Sequence, residues 1–357
     1  MITSEATVEA EKTLNLQSSP KPAAFGSVFT ANMLSATYEN GAWNDFTIRP
    51  LQNFSLHPAT LVLHYSQTIF EGMKAYRQAD GSVALFRPQQ NAARLNRSAE
   101  RMAIPQIDEA AFVAALAEYV ALEAGEVPAR PGSLYLRPTI FASEAAIGVR
   151  AATKYEFFVI AMPVESYFSN PSATSLRVFV SESVVRAAPG GTGAVKAGAN
   201  YGVTLKVIHD AKLLGCDQVL FLDSAGHRLV EEAGGMNFCI VRGNELITPP
   251  LSGTILAGIT RDSLLKLAPS LALVPSERPI QIDELATEIE SGVVSEVFLC
   301  GTAAVIASIG SLQFESGKLL TIGSDQATPV ADKLRDALLD IQFGSMAGPS
   351  GWVVSAR

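Results

Sequence analysis

The sequence predicts an α/β (α+β) protein of two domains, and three observations predict it. Between residues 25 and 164, strand-like runs are interrupted by two helices with clear apolar stripes. A stretch rich in turn formers follows at 165–174. Beyond it, short apolar strands dominate over helices. The expected organisation is a flexible tail over 1–24, a smaller N-terminal α/β domain over 25–164, a linker over 165–175 and a larger β-rich C-terminal domain over 176–357. Strand and helix do not alternate steadily in the second part, which argues against a doubly wound nucleotide-binding sheet.

Each element has a local reason. Residues 46–51 and 61–65 read as strands. Residues 69–76 lead into a hairpin at 79–82, because Asp80-Gly81 favours a tight turn, and 83–86 returns. A helix is expected over 89–103, with Ala92, Leu95, Ala99 and Met102 on one face. Asp108 caps a second helix striped by Phe112, Leu116, Tyr119 and Val120 and ended at Gly125. Strands are expected at 134–137 and 157–162, and in the second part at 177–181, 218–222, 236–241 and 296–299. A single helix should carry Val203, Val207, Ala211 and Leu214 on one face and stop at Gly215; others are expected over 259–268, 282–291 and 328–341.

Bulk composition excludes several classes. The net charge of −8, from 27 basic and 35 acidic residues, argues against a general nucleic-acid surface. Charged residues make up 17% of the chain against a usual share of about 25%, so surface hidden in an oligomer is expected. Cys216, Cys239 and Cys300 are too few and scattered for a disulfide framework or a zinc site and read as small buried residues; no metal is expected. No run reaches the roughly 18 apolar residues of a membrane span. The first residues resemble neither a signal nor a transit peptide, so a cytoplasmic protein is expected.

The most informative stretch is 190–202, with five glycines and a single charge, Lys196. Glycine lets a backbone approach a ligand closely. Lys196 could form a Schiff base with an aldehyde cofactor, yet spacing alone ranks an anion-binding or surface lysine ahead. The P-loop and dinucleotide fingerprints both fail here. Glu231 and Glu232 enter a Gly234-Gly235 turn on opposite strand faces, and by themselves read as solvated acids. Residues 253–261 open a helix whose free N–H groups make an anion site or an ordinary helix start. Thr302 and Ala303 follow Gly301 in another glycine-opened turn. Arg94, Arg97 and Arg101 share one helix, where solvation is the ordinary outcome. Tyr135 and Arg137 share a strand face, and a buried Arg137 would point to an anion.

Taken in order, these pieces resemble the branched-chain amino acid aminotransferases, class IV enzymes of PLP fold type IV. The likeness runs from about Phe25 to Phe343. It rests on Phe25-Gly26, Leu63-His64-Tyr65-Ser66, Phe70-Glu71-Gly72-Met73-Lys74-Ala75, Leu85-Phe86-Arg87-Pro88 and Leu134-Tyr135-Leu136-Arg137-Pro138. It continues through Lys196 with Gly198-Ala199-Asn200-Tyr201-Gly202, Glu232 with Met236-Asn237, Thr248-Pro249-Pro250, and Gly301-Thr302-Ala303. The resemblance implies a C-terminal pseudo-barrel that binds pyridoxal 5'-phosphate (PLP), and a homodimer with sites at the domain boundary.

It further implies that Lys196 carries the cofactor and moves the substrate proton, Glu232 faces the pyridine nitrogen and Tyr201 the ring oxygen. Arg94, the N–H groups of Ile259 and Thr260, and the Thr302 hydroxyl would hold the phosphate. Phe25, Tyr65, Phe70, Tyr135 and Tyr201 would wall an apolar substrate pocket. Tyr135 and the Thr302–Ala303 backbone would receive the α-carboxylate, and Arg137 with Tyr65 the distal carboxylate of glutamate. Ile147 and Val149 would lean into a neighbouring subunit's pocket, with Tyr167 as a lid. The implied reaction is reversible transamination between branched-chain L-amino acids (Leu, Ile, Val) and 2-oxoglutarate. The alternatives are another fold type IV enzyme, a D-amino acid aminotransferase or aminodeoxychorismate lyase, and a non-catalytic phosphate-binding interaction protein. Some relatives carry a Cys-x-x-Cys pair after the Gly-Thr-Ala turn. Here that run has no cysteine and Cys300 has no nearby partner, so such redox control is not expected.

Overall fold

The computed structural model describes residues 26–165, 175–323 and 329–356. The expected tail, Phe25, Tyr167 and most of the expected linker lie outside the described residues. The first part contains β1 (Asn32–Glu39), β2 (Ala42–Trp43), β3 (Thr47–Pro50), α1 (Leu61–Tyr65), β4 (Thr68–Phe70), β5 (Met73–Arg77), β6 (Val83–Phe86), α2 (Pro88–Arg101), α3 (Glu109–Leu122), β7 (Ser133–Ala142) and β8 (Tyr155–Val164). The second contains β9 (Leu176–Ser181), α4 (Ala199–Gly202), α5 (Leu205–Leu213), β10 (Gln218–Leu222), β11 (Val230–Ala233), β12 (Asn237–Arg242), β13 (Glu245–Thr248), α6 (Ile259–Leu267), β14 (Val274–Glu277), α7 (Ile282–Glu290), β15 (Val294–Gly301), β16 (Val305–Phe314), β17 (Leu319–Thr321), α8 (Pro329–Gln342) and β18 (Val353–Ser355).

Nine strands form the first sheet, in the order β18-β6-β5-β7-β8-β1-β2, with β3 also on β1 and β4 on β7. The strand β18 thus returns to the sheet that holds β1, and beside it Trp352 meets Phe86 edge-on at 5.5 Å. Asp108 caps α3 by accepting from the amide of Ala111 at 2.7 Å. The α3 stripe of Phe112, Leu116, Tyr119 and Val120 and the α2 stripe of Ala92, Leu95 and Ala99 are fully buried against the sheet. Alternation along β7 sends Leu134, Leu136 and Ile140 under these helices. It sends Tyr135 and Arg137 to the opposite face, which is how this sheet contributes to a site.

The second sheet closes on itself. β11, β10, β9, β16, β15 and β12 follow one another around a ring, and the β12–β11 pairing completes it. This is the barrel that the resemblance implied. Period-two alternation builds it: Val178, Val180, Leu220, Leu222, Phe238, Ile240, Val297 and Leu299 fill one cluster with the α7 stripe. The intervening residues turn the other way. Val219 and Phe221 pack on α5, and Cys239, Val241, Phe298 and Cys300 pack beneath α6 and α8.

Two expected elements differ. Residues 61–65 form α1 rather than a strand, because only Leu61 is buried while Leu63 and Tyr65 face outward, so no alternate set is covered by a sheet. The single helix expected after the glycine-rich stretch is two short ones, α4 and α5; of its predicted stripe only Val207 and Ala211 are buried, and Val203 and Leu214 are exposed. β1 and β16 were not anticipated, since polar residues and Gly310 interrupt their apolar pattern. Phe112→Ala should lower the unfolding free energy by about 3–5 kcal/mol, because the ring is fully buried and meets Phe157 edge-on at 5.6 Å. Urea titration checks this, and a loss below about 1 kcal/mol would contradict the packing.

Candidate active site at the junction of the two sheets

A cavity of about 510 Å³ lies between the odd face of β7 and the rim of the barrel. It brings together Lys196, Arg94, Tyr201, Glu232, Ile259, Thr260, Thr302, Ala303, Phe70, Tyr135 and Arg137. Of the residues expected there, Tyr65 is not among the lining residues: it is 38% exposed on α1. Leu61 alone anchors that short helix, which ends at Tyr65 and leaves its ring at the surface of the chain. Phe25 lies outside the described residues. Ile147 and Val149 are 75% and 90% exposed in the loop after β7.

The glycine-rich loop is pinned on several sides. Asn200 donates to the carbonyls of Thr192 and Val195 at 2.7 and 2.8 Å. Arg101, although exposed on α2, donates to the carbonyls of Gly190 and Gly191. The Lys196 amide donates to Ser98 Oγ at 3.0 Å, and its carbonyl accepts from the Phe70 amide at 3.1 Å. Backbone fixed from both sides aims the side chain: Lys196 Nζ donates to Tyr201 Oη at 2.8 Å and stands 4.7 Å from the Phe70 ring centroid.

Glu231 and Glu232 are both buried, not solvated as their position at a strand end suggested. The reason is Arg186, a residue that sequence reasoning missed. Its Nη2 lies 2.5 Å from Glu232 Oε1 and also donates to the carbonyls of Gly193 and Thr254. Glu232 accepts from the Leu256 amide at 2.9 Å and from Asn237 Nδ2 at 3.1 Å. Burial raises the Glu232 carboxyl to about 7, against the opposing pull of Arg186 and the Leu256 amide. Glu231 points the other way and accepts from the Thr254 hydroxyl. A usable sequence signal for Arg186 was its isolation as the one charge in 183–195.

Arg94 is buried rather than solvated because Glu71 faces it. Arg94 Nε and Nη2 donate to the two Glu71 oxygens at 2.7 and 2.8 Å, and Asn91 Nδ2 adds a third donor at 2.7 Å. Burial pushes the Glu71 carboxyl up, but Arg94, Lys196 and Asn91 together hold it below its ordinary value. Arg94 Nη1 reaches the Ala257 carbonyl at 3.0 Å, which places the guanidinium beside the start of α6. No side chain caps that helix, so its first N–H groups are free for an anion. Gly258, at its N-cap, has to be glycine, since a Cβ would come within 1.9 Å of Asn237 Oδ1. Arg137 is half-buried; Nη2 donates to Tyr135 Oη at 3.1 Å, while Nε is buried with no hydrogen-bond partner.

Cys300 lines the cavity, and its thiol lies beside that of Cys239, contrary to the expectation that it has no nearby partner. The β12–β15 register, with Asn237 opposite Cys300 and Cys239 opposite Phe298, makes them diagonal neighbours despite their distance in sequence. All three cysteines are buried and unbridged. No group of His, Cys, Asp or Glu among the described residues could hold a metal ion. No helix among them is long and apolar enough to cross a membrane.

In the cofactor-free protein, Glu232 binds a proton in the fold that the unfolded chain, near 4.5, has released. Between pH 4.5 and about 7 the folded state therefore holds more protons, and stability should fall as pH rises through that window. Glu232→Gln should flatten that slope in urea midpoints measured from pH 4.5 to 8; an unchanged slope would place the titration elsewhere.

Residues 68–312 match the family model of amino-transferase class IV. The chain is 45% identical over 332 residues to a probable branched-chain-amino-acid aminotransferase of Streptomyces coelicolor, covering 92% of this chain and 91% of that one. It is 42% identical to branched-chain-amino-acid transaminase 1 of Bacillus subtilis, covering 97% and 98%. Its structure superposes on that of the Escherichia coli branched-chain amino acid aminotransferase. That match has a TM-score of 0.75 and 26% identity, and covers 90% of this chain and 99% of that one. With a closed barrel, a lysine and a carboxylate in one cavity, and likeness along nearly its whole length, the chain belongs to the class IV aminotransferases of PLP fold type IV, among the branched-chain-amino-acid aminotransferases.

Proposed function

We propose that this chain catalyses the reversible, PLP-dependent transfer of an amino group between the branched-chain L-amino acids Leu, Ile and Val and 2-oxoglutarate. The observation that carries this reading is the convergence of Lys196, Glu232 and an uncapped helix start beside Arg94 in one cavity. These groups fit PLP: an amine for its aldehyde, a carboxylate for its pyridine nitrogen, and N–H donors for its phosphate. No side chain caps the start of α6, so its first N–H groups are open to that phosphate.

When bound, PLP supplies an electron sink for the pair left as the substrate Cα–H bond breaks. The residues do the rest. Lys196 Nζ takes the Cα proton and returns it, acting as base and then acid. Glu232, held by Arg186, Leu256 and Asn237, keeps a proton at the pyridine nitrogen. Tyr201 Oη, already bonded to Lys196 Nζ, fixes the ring oxygen. Arg94 and the amides of Ile259 and Thr260 bind the phosphate, and the Thr302 hydroxyl would join them by turning from the Gly72 carbonyl to which it donates in the cofactor-free protein.

Phe70, Tyr135 and Tyr201 wall an apolar pocket for a branched side chain. Tyr135 and the Thr302–Ala303 turn receive the α-carboxylate. Arg137, whose buried Nε has no partner, receives the distal carboxylate of glutamate. Tyr65 would join this pocket, and Ile147 and Val149 would close it, from a second copy of the chain. Leu63, 60% exposed, belongs to the same apolar surface, which the Thr60–Ala145 bridge ties together, and this supports a homodimer. Residues 165–175 are assigned as the linker between the N-terminal domain at 25–164 and the C-terminal domain at 176–357.

The deciding experiment follows the absorption spectrum of the PLP-loaded protein on adding L-leucine without a keto acid. Loss of the visible band of lysine-bound pyridoxal and rise of a pyridoxamine band is expected. A band unmoved by L-leucine would point to D-amino acids or a lyase, and no band after adding PLP to a non-catalytic protein. Lys196→Ala should cut turnover by at least about 10²–10⁴-fold; turnover within a few fold of wild type would remove Lys196 from proton transfer. Arg137→Ala should lower kcat/KM for glutamate by about 30–100-fold and for leucine by only a few fold. Equal losses in the two half-reactions would send the distal carboxylate elsewhere.

A further inference from the structure

The turn that carries Thr302 and Ala303 is held from outside its own sheet. It joins β15 to β16, where Gly301 and Val305 are paired across the ladder. Val305 sits at φ 63°, where a β-branched side chain crowds its own backbone. Such a residue persists only where its surroundings fix it. Two bonds from the first sheet do so. Thr302 Oγ1 donates to the Gly72 carbonyl at 3.3 Å, and Lys74 Nζ donates to the Ala303 carbonyl at 2.8 Å.

Lys74 stands directly opposite Tyr135 in the β5–β7 ladder, so both side chains share the face that meets the cavity. Its side chain is only 7% exposed. Burial lowers its amine to about 8. A buried cation is costly unless an anion meets it. The carbonyl that Lys74 holds belongs to the cavity-lining residue Ala303, so the charge stands behind that wall, where a ligand carboxylate in the cavity can offset it across the peptide without touching it.

We propose that Lys74 is a positioning residue for the substrate α-carboxylate: it fixes the peptide between Ala303 and Ala304 in the strained turn, and it lends that cavity wall a positive charge. The proposal rests on the reading above that the α-carboxylate lies at Tyr135 and the Thr302–Ala303 turn. The peptide plane is rigid, so holding the Ala303 carbonyl also fixes the Ala304 N–H in the opposite direction. Lys74 neither touches the substrate nor moves a proton. Every substrate carries an α-carboxylate, so losing Lys74 should weaken all of them alike, whereas losing Arg137 should spare the branched-chain partners.

The test compares PLP-loaded wild type, Lys74→Met and Lys74→Arg by steady-state kinetics and by calorimetry with 4-methylpentanoate, a branched monocarboxylate without an amino group. In Lys74→Met, KM for both L-leucine and 2-oxoglutarate and Kd for 4-methylpentanoate should rise by about tenfold or more. Its kcat should stay within about threefold and its PLP affinity within about twofold, and Lys74→Arg should recover most of the loss. Unchanged KM and Kd, a loss confined to kcat or to 2-oxoglutarate, or an equal loss of PLP affinity would each overturn the proposal. Should Lys74→Met not fold, Lys74→Gln replaces it; it keeps a donor but no charge, and a Kd equal to wild type overturns the proposal. A wild type that neither turns over L-leucine nor binds 4-methylpentanoate removes the substrate reading and, with it, this role for Lys74.

Discussion

Arg186 is the group on which the barrel side of the site depends. One guanidinium joins the carboxylate of Glu232 on β11, the Gly193 carbonyl in the lysine-bearing loop and the Thr254 carbonyl before α6. These three segments supply the acid, the amine and the helix N-terminus of the cavity. A buried carboxylate without its cation would cost several kcal/mol or take up a proton. The pair therefore fixes geometry and charge state together. The β11–β12 pairing that closes the barrel falls at Glu232 and Asn237, whose side chains are also bonded to each other. Closure of the barrel and placement of the acid are one event.

The first sheet answers with a second buried pair. Glu71 is fully enclosed yet bonded to Arg94 and Asn91, so its charge is satisfied and Arg94 is aimed at the start of α6. Gly72, next to Glu71, leaves room for Tyr135, whose hydroxyl would lie 2.2 Å from a Cβ there. The same short segment reaches the β15–β16 turn through the Gly72 carbonyl and Lys74. The cavity is thus assembled from two sheets that meet through hydrogen bonds at its rim, and neither sheet alone presents the full set of groups.

Much was legible in the sequence. The stripe of α3 and its Asp108 cap, the Asp80-Gly81 hairpin, the start of α6 and the β10 strand follow from local rules about period, capping and turns, which need only neighbours in the chain. The spacing of Tyr135 and Arg137 put them on one face because strand alternation is local. Errors came where burial was decided by distant partners. Residues 61–65 looked like a strand because their apolar content was visible but the exposure of Leu63 was not. Cys300 looked alone because its neighbour, Cys239, is close only through strand register.

The order of motifs was enough to point to the family, the cofactor and the residues brought together around Lys196, because those motifs are runs of adjacent residues. Tertiary structure alone decided the charge environment. Arg94 and Glu232 read by themselves as solvated, and both are buried because Glu71 and Arg186 come to them from far along the chain. A lone charge in a sequence carries no record of its partner, and only the folded arrangement of sheets shows whether its burial is compensated. The same holds for Lys74, flanked in its strand by Met73 and Ala75, whose contact with Ala303 spans the junction between the sheets.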